Sequence, residues 1–142
     1  MVRLIERKFT VPVTLADAWG FLGRVEQWPV WAKHIRRIEL RPPGELAPES
    51  SSCIVLRSGI KSTFRMREFN PGRNWKWVGR FLSLTLHYDH RFDKEGDGRT
   101  CLTWIVAAEG LGAQGLGRLF AAIYSHNRNK AIPALQAEIT GK

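Results

Sequence analysis

The sequence is poor in cysteine and has no long apolar run. Cys53 and Cys101 stand far apart in no metal-binding spacing, which predicts two reduced strand residues and excludes a disulfide-rich scaffold. No stretch of 18 apolar residues occurs, and residues 1–11 alternate charged and apolar side chains, so we expect neither a membrane-spanning helix nor a signal peptide. These features predict a soluble, cytoplasmic protein.

Acidic residues are also scarce. The chain has 13 Asp and Glu against 22 Lys and Arg, a formal net charge of +9. Such a balance is compatible with nucleic acid, an anionic membrane or an acidic ligand as partner. We favour the simpler interpretation that the positive charge only keeps the protein soluble. At 142 residues the chain can bury one sizeable core, and we predict a single domain over residues 1–142.

Both ends of the chain show clear periodicity. Residues 1–11 read as a strand, and the capping pattern of Thr14 and Asp17 predicts a short helix over residues 15–23. Residues 25–31 read as a second short helix that is interrupted at the Trp-Pro pair 28–29. Apolar residues at spacings of three, four and seven predict one long helix over residues 114–140, bent by its internal proline.

Between these ends, apolar residues recur with a period of two. The predicted strands cover residues 37–41, 53–58, 62–70, 73–81, 84–93 and 99–110. Their short connections require neighbouring strands to run antiparallel. With the first strand, this predicts an α+β fold in which seven antiparallel strands and two short helices accompany a long C-terminal helix.

Alternation within the strands predicts which side chains face the helix. The inward side chains include many aromatic rings and two polar groups. A two-residue turn at Pro71 and Gly72 would place Glu68 opposite Trp75, with His90 on the next strand in the same row. The predicted ligand-binding residues on the sheet are Phe64, Met66, Glu68, Trp75, Trp77, Tyr88, His90 and Trp104.

The helix contributes the remaining predicted ligand-binding residues, which are Phe120, Ile123, Tyr124 and Asn127. Asn127 stands within the apolar stripe, and a buried amide needs a partner, so it either bonds to neighbouring backbone or faces a ligand. Arg128, by contrast, is predicted to lie off the stripe.

Glu68 and His90 allow three interpretations. They could be a core pair with protein partners, the polar anchors of a ligand in an aromatic cavity, or a general acid and base acting on a carbonyl-rich substrate.

Neither a metal nor a cofactor is predicted. Alternation places His87 and His90 on opposite faces of one strand, so the two cannot share an ion. Residues 110–115 match a GxGxxG pattern, but a dinucleotide site needs a second parallel strand, and the chain ends after the helix. We therefore predict that these glycines form a turn.

The opposite face of the sheet is basic. The predicted outward side chains on three adjacent strands are Arg65, Arg67, Lys76, Arg80 and Arg91. We interpret this face as a solvated face, although it could also contact an anionic membrane surface. Because the aromatic residues face the other way, it lacks a stacking platform for nucleic acid, which disfavours that partner.

Several motifs, in their order along the chain, resemble the START-like (SRPBCC) superfamily, in particular its polyketide cyclase/dehydrase and lipid-transport branch. The resemblance covers nearly the whole length. The matching segments are residues 11–13 before Trp19, residues 28–31, residues 68–73 before Trp77, residues 90–92, residues 98–100 and residues 131–135. It implies a helix-grip fold, in which seven antiparallel strands curl around the C-terminal helix, with a hydrophobic cavity between them.

The resemblance leaves several functions open. We expect binding of a small hydrophobic ligand, lipid-like or similar to an aromatic polyketide, by a carrier or sensor. An alternative is a cyclase or dehydratase that uses Glu68 and His90 as acid and base. A second alternative is an interaction module that uses the basic face. The resemblance supplies no catalytic residue.

Overall fold

The computed structural model describes residues 2–81, 84–110 and 115–139. A seven-stranded antiparallel sheet curves around a long C-terminal helix, and two short helices join its first two strands. The elements are β1 (Val2–Val11), α1 (Leu15–Gly23), a 3₁₀ helix (Val25–Val30), β2 (Ile35–Arg41), β3 (Ser51–Leu56), β4 (Lys61–Asn70), β5 (Asn74–Phe81), β6 (Leu84–Gly96), β7 (Arg99–Gly110) and α2 (Gly115–Ile139). The predicted helix-grip fold is confirmed.

The strand order in the sheet is β1-β7-β6-β5-β4-β3-β2. Strands β2 to β7 form a meander in which each strand pairs with the next, while β1 pairs with β7. The two short helices therefore connect the opposite edges of the open sheet.

The inner face of the sheet follows the predicted alternation along β6. Leu84, Leu86, Tyr88, His90 and Phe92 are all buried. The predicted register between β5 and β6 is also confirmed, since it places Trp77 opposite Tyr88 and Trp75 opposite His90.

In the pairing of β4 with β5, Met66 lies opposite Trp77 as expected, but the predicted pairing of Glu68 with Trp75 is wrong. Asn70 pairs with Asn74, so the turn contains three residues, and the register shifts again between Met66 and Glu68. One extra residue in a strand reverses the orientation of the side chains beyond it. Glu68 consequently pairs with Lys76 and is exposed on the outer face.

The short helices differ in one respect from the prediction. Thr14 caps α1 as expected, accepting a hydrogen bond from the backbone N–H of Asp17 at 3.2 Å. The second piece is a 3₁₀ helix that continues through Pro29 instead of being interrupted there. It ends with the backbone N–H of Trp31 donating to the carbonyl of Trp28 at 3.1 Å.

Helix α2 packs against β1 and the inner face. Leu135 is fully buried, and Gln136 Nε2 donates to the carbonyl of Thr10 at 3.0 Å. Near the start of the helix, Gly117 lies close to Leu4. A Cβ added at residue 117 would lie 3.1 Å from the Leu4 side chain. Within the described residues, none of the helices has both the length and the apolar character needed to cross a bilayer.

Gly79 is a point of close approach between two strands. It pairs with Phe64 across β4 and β5, and a Cβ at residue 79 would lie 2.4 Å from the Phe64 ring. We expect Gly79→Ala to lower the free energy of unfolding by about 1 to 3 kcal/mol, because the ring must move. Urea unfolding measures this change.

The control substitution is Gly20→Ala in α1, where an added Cβ meets nothing within 4 Å. Replacing a helical glycine by alanine should raise the free energy of unfolding by up to about 1 kcal/mol. Equal effects of the two substitutions would contradict the close packing of Phe64 over Gly79.

Candidate ligand-binding cavity

A cavity of about 170 Å³ lies between the inner face of the sheet, the 3₁₀ helix and α2. Its walls are mainly aromatic and aliphatic. The described residues that line it are Trp28, Trp31, Ala32, His34, Ile35, Ile54, Leu56, Ile60, Ser62, Phe64, Trp77, Leu86, Tyr88, His90, Trp104, Tyr124, Asn127, Arg128 and Ala131.

Trp28 of the 3₁₀ helix and Trp31, directly after it, form one end of the cavity. The ring of Trp28 stacks on Trp104 with 6.2 Å between centroids, and lies 5.3 Å from the ring of Trp31. The indole N–H of Trp28 donates to the carbonyl of Leu22 at 2.9 Å. Because this buried donor is satisfied by the backbone of α1, the indole is held in a fixed orientation.

The opposite wall comes from β4, β5 and β6. Phe64 lies 5.1 Å from Tyr88 and 5.7 Å from Trp77, measured between ring centroids. Ile60, in the connection between β3 and β4, also lines the cavity although its side chain is 47% exposed. The cavity therefore reaches the surface beside Ile60.

The structure brings together seven of the predicted site residues at this cavity. These are Phe64, Trp77, Tyr88, His90, Trp104, Tyr124 and Asn127. Met66, Glu68 and Trp75 are not among the lining residues. The side chains of Phe120 and Ile123 lie outside the described part of the structure.

The inward orientation predicted for Glu68 is wrong. On the outer face, Glu68 Oε2 accepts a hydrogen bond from Asn74 Nδ2 at 2.6 Å, and the same nitrogen donates to Asp89 at 2.9 Å. Asp89 also accepts from Arg91 Nε at 2.7 Å, which raises the pKa of Arg91. Glu68 and His90 therefore face opposite sides of the sheet and cannot act as an acid and base pair.

Trp75 is inward but lies behind the cavity. It stacks on His90 with 5.0 Å between ring centroids, and on its other sides it contacts Trp19 and Phe92 at 5.4 Å. Its role is to support His90 from the side of α1.

His90 is a buried imidazole in the cavity wall. Burial, with a smaller contribution from the positive charge of Arg128, lowers the pKa of His90 to about 3. The imidazole is therefore neutral at physiological pH. Its Nδ1 atom is buried and has no hydrogen-bond partner within the described residues. Burial likewise raises the pKa of Tyr88, so its hydroxyl stays protonated.

Arg128 lines the cavity, although the sequence prediction places it off the buried stripe of the helix. Its side chain is buried at 3% exposure, where Nη2 donates to the hydroxyl of Tyr124 at 2.6 Å and Nη1 to the carbonyl of Trp104 at 3.4 Å. The guanidinium also lies over both rings, at 4.4 Å and 5.1 Å from their centroids. One sequence feature could have predicted its burial. Arg128 is four residues from Tyr124 and three from Ala131, and this spacing places it on the buried side of α2.

Other lining residues were also missed as site residues. In the sequence, Trp28 and Trp31 are recognisable only as part of the motif at residues 28–31. His34 lines the cavity as well, and burial lowers its pKa.

The outer face carries the basic residues where alternation places them. Arg65, Arg67, Arg80 and Arg91 are exposed, and Arg91 pairs with Asp89. His87 also lies on this face, 2.8 Å from Glu109, so it is separated from His90 by the sheet. No group of three potential metal ligands occurs among the residues described. Most of the predicted glycine turn, residues 111–114, lies outside them.

The curved sheet, the long helix and the cavity between them define a helix-grip protein of the START-like class. The sequence profile of the family described as polyketide cyclase / dehydrase and lipid transport matches residues 3–139. The chain therefore belongs to this family. None of the curated proteins shows a significant match to the sequence.

Solved structures agree with the fold at low sequence identity. A hypothetical protein from Helicobacter pylori superposes with a TM-score of 0.78 at 13% identity, covering 94% of this chain and 85% of that one. A START superfamily protein from Mycobacterium smegmatis gives 0.73 at 12% identity, with 98% of both chains covered. The Zhui aromatase/cyclase from Streptomyces sp. R1128 gives 0.69 at 17% identity, covering 96% and 92%.

The buried His90 predicts a specific dependence of stability on pH. Its pKa is about 3 in the folded protein, and we take the ordinary value of 6.5 for the unfolded chain. Between pH 3 and pH 6.5 the unfolded chain therefore binds a proton at this residue that the folded protein does not. The free energy of unfolding should therefore fall as pH decreases below 6.5, by up to about 1.4 kcal/mol per pH unit from this residue. Urea unfolding of wild type and His90→Gln between pH 7 and pH 5 measures this difference.

The control is His126→Gln at an exposed position of α2. It removes a histidine but leaves His90 in place, so it should keep the wild-type slope. Parallel pH curves for wild type and His90→Gln would contradict the buried, neutral state of His90.

Proposed function

We propose that the protein binds a small hydrophobic ligand in the cavity under α2 and acts as a carrier or sensor. The observation that carries this proposal is the cavity itself, whose lining is predominantly aromatic and aliphatic and which includes only a few polar groups. Such a composition is typical of small-molecule sites, where apolar walls supply affinity and a few polar groups supply orientation.

The size of the cavity limits the ligand. An apolar cavity of about 150 Å³ can hold one benzene molecule, and this one measures about 170 Å³. One aromatic ring or a short alkyl chain therefore fits inside. A longer, lipid-like ligand would extend past Ile60 into solvent.

Catalysis is the weaker alternative. The predicted acid and base are on opposite faces of the sheet, and the similarity to an aromatase/cyclase at 17% identity concerns the fold alone. Localisation in the cytoplasm and binding of an anionic membrane by the basic face stay predictions from the sequence.

A substitution that fills the cavity tests the proposal. Ala131 is buried in α2 and lines the cavity, so Ala131→Phe should place a ring in the space that the ligand needs. We expect native mass spectrometry and calorimetry with a panel of aromatic and aliphatic compounds to detect a saturable binder of wild type. Ala131→Phe should weaken that binder by about tenfold or more, equivalent to about 1.4 kcal/mol.

The matched control is Ala122→Phe, at an exposed position of the same helix. It should bind like wild type, because the added ring points to solvent. The proposal fails if no member of the panel binds wild type saturably, or if both substitutions weaken binding equally.

A further inference from the structure

Arg128 is a buried cation without a buried anion. Its side chain is only 3% exposed, yet within the described ranges it takes part in no ion pair. Its hydrogen bonds to Tyr124 and Trp104 are to neutral oxygens, and its Nε atom has no partner among the described residues. A buried charge normally requires a counter-charge as well as hydrogen bonds.

The cavity supplies no such counter-charge from its own walls. None of the described residues that line it is Asp or Glu. The two rings beneath the guanidinium, those of Tyr124 and Trp104, offset part of the cost through cation–π contacts. They leave the Nε–H unsatisfied, and a bound ligand is one source of the missing acceptor.

Two further polar atoms of the cavity-lining residues lack partners. Trp104 Nε1 and His90 Nδ1 are both buried without a hydrogen bond to the described residues. The indole nitrogen can only donate, as can the guanidinium. The unsatisfied groups thus favour a ligand whose polar end accepts hydrogen bonds.

We propose that Arg128 pairs with the carboxylate of a small apolar acid, so that the ligand of this cavity is an aromatic or aliphatic carboxylic acid. This inference rests on the proposed function and adds the chemical class of the ligand. A single positive charge is neutralised by a monoanion. A phosphate dianion would instead leave an uncompensated negative charge in an apolar cavity.

The geometry of the guanidinium suits a carboxylate. Its planar array of donors matches two carboxylate oxygens, and the N–H of Nε on one edge has no acceptor among the described residues. The apolar body of the acid would then lie among the aromatic rings of the sheet and the 3₁₀ helix, with a longer chain directed toward Ile60.

Matched pairs of ligands test the inference. The pairs are 3-phenylpropanoate with 3-phenylpropanamide, and decanoate with decanamide, so that each acid is compared with a neutral compound of nearly equal shape. Calorimetry at pH 7 should show that wild type binds at least one acid about tenfold more tightly than its amide. Acetate, which carries the charge without the apolar body, should bind far more weakly than either acid.

Substitutions test whether Arg128 is the cause of the preference for the acid over its amide. Arg128→Met keeps an apolar side chain of similar length and should abolish the preference for the acid over its amide. Arg118→Met, at an exposed position of α2, removes the same charge outside the cavity and should retain the wild-type preference. If Arg128→Met fails to fold, the ratio of acid to amide affinity in wild type still decides the inference.

The outcomes separate the two proposals. Equal binding of acid and amide by wild type, or a preference that survives Arg128→Met, overturns the role of Arg128 and leaves the proposed function standing. If wild type binds neither member of either pair, the carboxylic acid is excluded. The proposed function is then decided separately, by its wider panel and by the comparison of Ala131→Phe with Ala122→Phe.

Discussion

The structure depends on covering one aromatic face of a sheet. Alternation along β5, β6 and β7 directs Trp77, Tyr88 and Trp104 to the same side, and burial of such rings supplies several kcal/mol each of favourable transfer free energy. A single helix of 25 residues covers this side, assisted by the 3₁₀ helix. Because one helix cannot fill the whole concave surface of seven strands, a space remains between them, and that space is the cavity.

Much of this arrangement could be predicted from the sequence. Period-two alternation and short connections predicted the antiparallel meander. The separation of only two residues between the predicted strands 73–81 and 84–93 predicted the register of β5 with β6. The orientation of Glu68 could not be predicted in this way. The register shifts between Met66 and Glu68, and no glycine or proline stands there as a sequence signal of a bulge. A single extra residue in a strand then moved the expected general acid to the opposite face.

Arg128 illustrates a different limit. A charged residue within a helix is assigned to solvent by default, since burying an unpaired charge is costly. Its burial depends on the ring of Tyr124 in α2 and on the ring of Trp104 in β7, which comes to lie beside the helix only in the folded protein. The sequence shows the spacing, but only the tertiary structure shows that the guanidinium lies against Trp104 and Tyr124 instead of water.

The six tryptophans of the chain form one continuous group of rings. From Trp19 through Trp75, Trp77 and Trp28 to Trp31 and Trp104, each centroid lies within 6.4 Å of the next. Excitation absorbed by one indole can pass to its neighbours over such separations. The intrinsic tryptophan fluorescence of the protein is thus a collective property of this group of rings. A quencher bound next to any one of these tryptophans would reduce the fluorescence of the whole group.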